Sequence, residues 1–309
     1  MDEPNHFELL TTWDVPALPT VLLAFVAALY VIGWFRAHKT RPLELPAWRL
    51  IAFLSGIASV FVAISSPLDT FSESLLFMHM AQHFVLMSVA PPLLVLGAPT
   101  VPLLRGLPRF AIQMTKPLFR SRTVHWLMRH ARGNLVAWMA MNLAYVGWHI
   151  PAAYEFALRS ETWHNVEHAC FLFTSLLFWW PVVRPWPIRE RQGSSRSNLL
   201  PRLEPTAERL LLIPYLLSAD LVNTAVSAFL CFSGRLVYSS YADVQRPVAI
   251  SPLNDQIAAG AFMWVFGSLI FLVPVAAIFV RTFSVPSLRL PDLVANDARH
   301  RDRAQREAV

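Results

Sequence analysis

Two pairs of histidines stand out in an otherwise apolar chain. In LLFMHMAQHFVLMSVAPPLLVLGAP, residues 75–99, His79 and His83 are four apart, with Gln82 between them and Met78, Met80 and Met87 close by. In Trp163-His164-Asn165-Val166-Glu167-His168 the second pair, His164 and His168, has the same spacing. Residues four apart share a helix face, so each pair presents two imidazoles in one direction. A fifth histidine, His149, lies in Trp148-His149-Ile150-Pro151. Ionisable groups within membrane spans are costly and mark functional sites. Two such pairs on neighbouring helices can complete a tetrahedral or square metal site. One imidazole from each of two spans can instead hold a haem, with His83 and His168 as the natural axial pair. Met80 and Met263 could add thioether sulfur, which suits Cu(I).

Other polar residues fall at similar depth. Glu167 is placed to orient a ligating imidazole, and Gln82 neighbours the first pair. Asp255 opens the last apolar segment, in Ser251-Pro252-Leu253-Asn254-Asp255-Gln256. Asp220 lies near the middle of the segment before it, with Asn223 and Ser227 continuing its face. An ionised Asp at that depth costs about 2.5–3.5 kcal/mol, so it should be neutral, paired or water-facing. A single histidine at a helix end is more often an interfacial residue than a ligand. Two pairs and His149 in one layer carry more weight. His164 to His168 also matches H-x-x-E-H, in which two histidines hold zinc and the glutamate activates water. Here the helix is membranous and no acidic ligand on a soluble helix follows, which argues against a protease. Cys170 and Cys231 have no C-x-x-C spacing and read as packing residues.

The elements that must position these groups are membrane spans. The chain has 309 residues, 55% hydrophobic and only 15% charged, against about 25% charged in soluble domains. Seven segments approach the ~20 residues a span needs, at about 17–35, 47–65, 75–98, 134–150, 163–183, 206–231 and 255–281. Spanning segments must satisfy their backbone internally, so these are helices. Pro91 and Pro92 should kink or break the third below its histidines. Of 26 Lys and Arg residues, all but Arg159, Arg235 and Arg246 fall in one alternate set of connections or the tail. The positive-inside rule then places the N-terminus outside and the C-terminus in the cytoplasm. The acidic start lacks the basic residues of a cleavable signal, so the first segment is expected to stay as a span. The net charge of +6 is spread over juxtamembrane regions, which topology alone requires, so no nucleic-acid partner is expected. The loop 99–133, with His125 and His130, is expected on the cytoplasmic lipid surface, and 186–205 as a polar cytoplasmic loop. Trp179, Trp180 and Trp186 read as interfacial belt residues. The expected fold is an all-α, polytopic membrane helical bundle of seven transmembrane helices. It divides into an outer N-terminal segment (1–16), a membrane domain (17–283) and a charged cytoplasmic tail (284–309).

At this point the sequence resembles a family, the seven-span bacterial CtaG assembly factors of caa(3)-type cytochrome c oxidase. The resemblance rests on HMAQHFVLMSVAPPLLVLGAP at 79–99, WHIPAAYEFAL at 148–158 and HNVEHACFLFTSLLFWWPV at 164–182. Asp220 and SPLNDQIAAGAFMW at 251–264 complete it. It implies a role in assembling a haem–copper oxidase by helping copper reach it, in a bacterial plasma (inner) membrane. The partners implied are the lipid bilayer, oxidase subunits and a copper donor protein. Copper would be captured by His79, His83, His164 and His168, with His149, Met80 or Met263 as further donors. No bond-breaking catalysis is needed, so an enzyme is not expected. A haem-binding redox protein and a copper transporter using Asp220 are the competing readings. A transporter would be expected to show matched broken helices in repeated halves, and none is found.

Overall fold

The computed structural model describes residues 13–121, 133–183 and 209–283. His125, His130, Trp186, the loop 186–205 and the tail 284–309 lie outside them, as do residues 1–12 of the N-terminal segment. Every regular element among the described residues is helical. In chain order these are α1 (Ala17–His38), α2 (Ala47–Ser65), α3 (Pro67–Ser72) and α4 (Leu76–Phe84), then a π-helical turn (Val85–Val89) and α5 (Ala90–Leu96). There follow α6 (Thr100–Gly106), α7 (Arg109–Arg120), α8 (Asn134–His149), α9 (Pro151–Leu158), α10 (Glu161–Val183), α11 (Leu212–Phe232), a 3-10 turn (Ser239–Tyr241) and α12 (Pro252–Phe283).

Among the described residues, six helical segments are long and apolar enough to cross a membrane: α1, α2, the α4–α5 column (Leu76–Leu96), α10, α11 and α12. The fourth expected span, α8, has 16 residues, about 24 Å at 1.5 Å per residue. That falls short of the roughly 30 Å hydrocarbon thickness. Proline sets several starts. Pro16 and Pro46 precede α1 and α2, while Pro151 and Pro252 open α9 and α12, where a missing N–H costs nothing. Pro151 also holds Ile150 extended, which separates α8 from α9.

The α4–α5 column is central. It is 67% buried, against 17–33% for the other five candidate spans. α12 packs on α4, while α2 and α10 pack on α5 and the π turn. α8 packs on α10 and α11, and α11 on α12. At Pro91-Pro92, where a kink or break was expected, the column does not break: a π-helical turn precedes the prolines and the helix continues. The Ala90 amide reaches five residues back to the Val85 carbonyl, and both prolines sit in the first turn of α5. Pro91 cannot donate to the Met87 carbonyl, and Trp179 Nε1 takes that acceptor at 3.1 Å. Trp179 is therefore a buried core residue, 4% exposed, and not an interfacial belt residue.

α1, α2, α5 and α6 share a second apolar core. The start of the loop 99–133 forms α6, which packs against α1. The backbones meet at Gly33 and Gly106, where a Cβ on Gly33 would land on the Pro102 carbonyl and one on Gly106 on that of Leu29. Arg36 and Arg105 donate to each other's carbonyl oxygens at 2.8 and 3.2 Å. Gly33→Ala should therefore cost about 1–3 kcal/mol by overpacking. Gly147→Ala, which meets nothing within 4 Å, should be neutral or stabilising. Thermal unfolding of the two variants in detergent tests this, and equal stability would refute the packing argument.

The connection 233–251 closes over the end of the bundle where α8 ends and α10 begins. Gly234, at φ 63°, turns the chain out of α11. The Ser239 amide and hydroxyl donate to Glu155 Oε1 of α9 at 2.8 and 2.5 Å. These bonds, the hydroxyl foremost, hold the Glu155 carboxyl below its usual value. A depressed carboxyl stabilises the fold above its unfolded pKa, and that stabilisation is lost as pH falls through the folded value. The tether should thus hold at neutral pH and weaken below about pH 4. Hydrogen exchange at Ser239, corrected for the intrinsic rate, should show protection falling from pH 5 to pH 3. In Glu155→Gln it should be low and flat, and an unchanged profile in that variant would contradict the assignment.

Candidate metal centre

The two histidine pairs meet. His79 and His83 lie on α4, and His164 and His168 on α10. One ring nitrogen of each falls within 4.8 Å of the corresponding nitrogen of all the others. Ring centroids are 4.3 Å apart within the α4 pair, 4.1 Å within the α10 pair, 5.1 Å for His79–His164 and 5.4 Å for His83–His168. His79, His83 and His168 are buried, while His164, at the outermost turn of α10, keeps partial exposure. His164 is thus the one member of the quartet that keeps an exposed edge.

The helix that carries half of the quartet is fixed from another helix. Leu75 gives α4 no side-chain cap. Asp255 on α12 supplies it, accepting from the Leu76 amide at 2.7 Å and the Phe77 amide at 3.1 Å. Asp255 is therefore a cap for α4 acting across 179 residues of sequence, and not a neighbour of the imidazoles. Gln256 next to it brackets the end of α11. Its Nε2 reaches the Leu230 and Arg235 carbonyls and the Ser233 hydroxyl, and its Oε1 accepts from the Val237 amide at 2.7 Å.

Hydrogen bonds set the tautomers. The Tyr241 hydroxyl has one proton, which it donates to the Ser72 carbonyl at 2.7 Å. Towards His79 Nδ1, 3.1 Å away, it must accept. His79 thus carries its proton on Nδ1, and its Nε2 lone pair faces His83 Nε2 at 2.8 Å. His83 must then be the donor in that contact. Tyr154 completes the chain, donating to Tyr241 at 3.0 Å. His149 follows the same rule: Nδ1 donates to the Tyr145 carbonyl at 2.7 Å, so Nε2 is a bare lone pair. His83 Nδ1, His149 Nε2, His164 Nε2 and His168 Nε2 are buried without hydrogen-bond partners. So are both oxygens of Glu167, a fully buried residue whose Oε1 lies 3.7 Å from His83 Nε2. Buried polar atoms are normally paired. A group of orphaned nitrogens facing one another is what a cation would satisfy.

The other expected donors separate from the quartet. Met80, His149 and Met263 line a neighbouring cavity of about 40 Å³, together with His83. Gln82 points away from the imidazoles, donating to the Ala63 carbonyl at 2.9 Å and to Asp69 Oδ1 at 2.6 Å. Asp220 is paired, as its depth required, but with Ser268 of α12, whose hydroxyl donates at 2.8 Å. Cys170 and Cys231 are free and stand outside the quartet. Tyr154 and Tyr241, which hold His79, and Tyr238, whose hydroxyl donates to the His149 carbonyl at 3.0 Å, escaped the sequence reading although all are fully buried. The usable signal was the i, i+3 pair Tyr238 and Tyr241 in a connection otherwise rich in small and polar residues.

Comparisons with known proteins identify relatives and a family. An uncharacterized protein of Mycobacterium leprae is 24% identical over 292 residues, covering 90% of this chain and 40% of its own length. Uncharacterized proteins of Mycobacterium bovis and Mycobacterium tuberculosis are each 28% identical over 187 residues, 58% of this chain and 28% of theirs. The chain therefore spans less than half the length of these relatives. No solved structure matches it significantly. The family profile for the cytochrome c oxidase caa3 assembly factor (Caa3_CtaG) matches residues 28–284, a range that contains the histidine quartet, the Asp255 cap and the tyrosines above them. The chain belongs to the family of caa3-type cytochrome c oxidase assembly factors.

Proposed function

We propose that this protein binds copper as Cu(I) at His79, His83, His164 and His168 and passes it to a cytochrome c oxidase during assembly. The observation that supports this reading is the convergence of four imidazoles, three of them with a partnerless buried nitrogen, in one small volume. Soft Cu(I) accepts imidazole readily, and a cargo site gains from one ligand, His164, that faces the outside. His79 already offers its Nε2 lone pair. His83 reaches the ligating tautomer when its proton sits on Nδ1 instead of Nε2, a rearrangement that leaves the ring neutral. The role is transfer of cargo by ligand exchange, without catalysis. Two features favour this over haem. A porphyrin needs a pocket of several hundred Å³, while the cavity beside His83 measures about 40 Å³. The His83 and His168 rings are already 5.4 Å apart. A copper channel through Asp220 is disfavoured because Asp220 is engaged by Ser268.

The arrangement in the membrane belongs to the same proposal. α8 crosses as a seventh, short span, with the N-terminus outside and the C-terminus in the cytoplasm. The membrane is a bacterial plasma membrane. The quartet then lies at its outer face, where a copper donor protein and the oxidase subunits can reach it.

The protein purified in detergent and loaded anaerobically should hold about one copper at the quartet, and His79→Ala/His83→Ala should lose it. Absence of copper from the wild-type protein would overturn the reading, and a haem absorption band would replace it. Tyr241→Phe should weaken copper binding by about 10- to 100-fold by releasing the His79 tautomer, the usual effect of removing an outer partner of a ligating histidine. Unchanged affinity would show that the tyrosine chain is structural only.

A further inference from the structure

The cavity beside the quartet has no role so far. It is lined by Met80, Met87, Met141 and Met263, with His83 and His149. Four of the nine methionines in the chain thus face one space of about 40 Å³. They come from three helices, α4 with its π turn, α8 and α12. Thioethers fill apolar gaps in many cores, so methionines alone would carry little. His149 changes the argument. It is 7% exposed and lines the same cavity. Its Nδ1 proton is committed to the Tyr145 carbonyl, so Nε2 is a buried lone pair without a hydrogen-bond partner, in a wall that also carries Ser88, Asn142, Tyr145 and Asn223. An unpartnered buried acceptor among four thioethers is a donor set suited to a soft monovalent cation.

The cavity begins at the level of the quartet, at Met80 and His83, and extends deeper into the bundle. Met87 is one turn beyond His83, Met141 is eight residues before His149, and Met263 is eight residues after Asp255. Eight residues correspond to about 12 Å of helix. His83 belongs to both groups, as a member of the quartet and part of the cavity wall.

We propose that this cavity is a second Cu(I) site, with thioether ligands from the four methionines and one imidazole ligand from His149. Copper reaches it from the quartet by way of His83. The inference rests on the reading of the quartet as a copper site. The hand-off is an exchange of ligands on an ion that stays Cu(I), from imidazoles to thioethers, with no electron transferred. A softer and drier site behind an entry site would hold the ion away from water and oxygen until the partner takes it.

The test is anaerobic titration of the full-length protein in detergent with Cu(I) against bicinchoninate, followed by X-ray absorption at the copper edge. The expected result is two equivalents per chain. The first should be nitrogen-ligated and the second should add a sulfur shell. Met141→Leu/Met263→Leu, which nearly conserves volume, should lose the sulfur shell and weaken the second equivalent at least tenfold. Met80→Leu/Met87→Leu should do the same, which guards against local misfolding of either pair. His164→Ala/His168→Ala should keep one sulfur-ligated equivalent. A single equivalent in the wild type, or a second one untouched by both methionine pairs, would overturn the second site while leaving the quartet in place. A sulfur-ligated equivalent without a nitrogen-ligated one would instead remove the quartet and leave the cavity. No copper at all would end both.

Discussion

The bond between the Asp255 carboxylate and the Leu76 and Phe77 amides decides where the histidines stand. A helix that starts inside an apolar bundle exposes amides that water cannot reach, and each is expensive to leave unpaired. The residue before α4 is Leu75, which cannot cap. The carboxylate from α12 supplies two acceptors at once and opposes the positive end of the helix dipole. Three and seven residues on come His79 and His83. With the first turn of α4 pinned to α12, those imidazoles have a fixed height and direction. The same stretch of α12 also holds the exit of α11 through Gln256. The two residues Asp255-Gln256 therefore tie three helices together at the level of the site.

The opposite end of the column is set by what proline lacks. Pro91 leaves the Met87 carbonyl without its helical donor, and the π-helical turn shifts the ladder so that the column continues. Trp179 of α10 fills the vacancy through its indole N–H. α10 is thus fastened to the central column below the quartet, and its own histidines meet those of α4 above. The tyrosine chain from Tyr154 through Tyr241 adds a third constraint by fixing a proton on His79 Nδ1. Helix start, helix break and tautomer are each set by a side chain from another part of the fold.

These contacts explain what could be read from the sequence. Helix positions were legible because apolar length and proline starts are local: α2 was expected at 47–65 and is found at Ala47–Ser65. The pairing of His79 with His83 and of His164 with His168 followed from helical spacing alone. Their mutual approach needed only that α4 and α10 be neighbours. Asp255 was legible as a buried polar residue but not as a cap, because its partners are 179 and 178 residues away. Gln82 lies between two site histidines yet turns to α2 and α3, since its angle on the helix differs from theirs by close to one residue step. Trp179 looked interfacial because tryptophan usually is, and only the missing amide of Pro91 makes its burial understandable. Met263 differs from the quartet in depth and Met80 in its angle on α4, and an outer-layer argument resolves neither.

Charge balance bears on which ion such a site would take. Neutral imidazoles contribute no charge, and among the described residues Glu167 is the carboxylate that reaches them, 3.7 Å from His83 Nε2. A lone ionised carboxylate in an apolar interior is strongly disfavoured, and so is a lone cation. With a proton on Glu167 the site is neutral when empty. When a monovalent ion displaces that proton, the site is neutral again. A divalent ion would leave one uncompensated positive charge in surroundings of low dielectric, a penalty of several kcal/mol. Tetrahedral imidazole geometry alone would admit zinc as readily as copper. The single carboxylate therefore discriminates where ligand geometry does not, and it favours Cu(I).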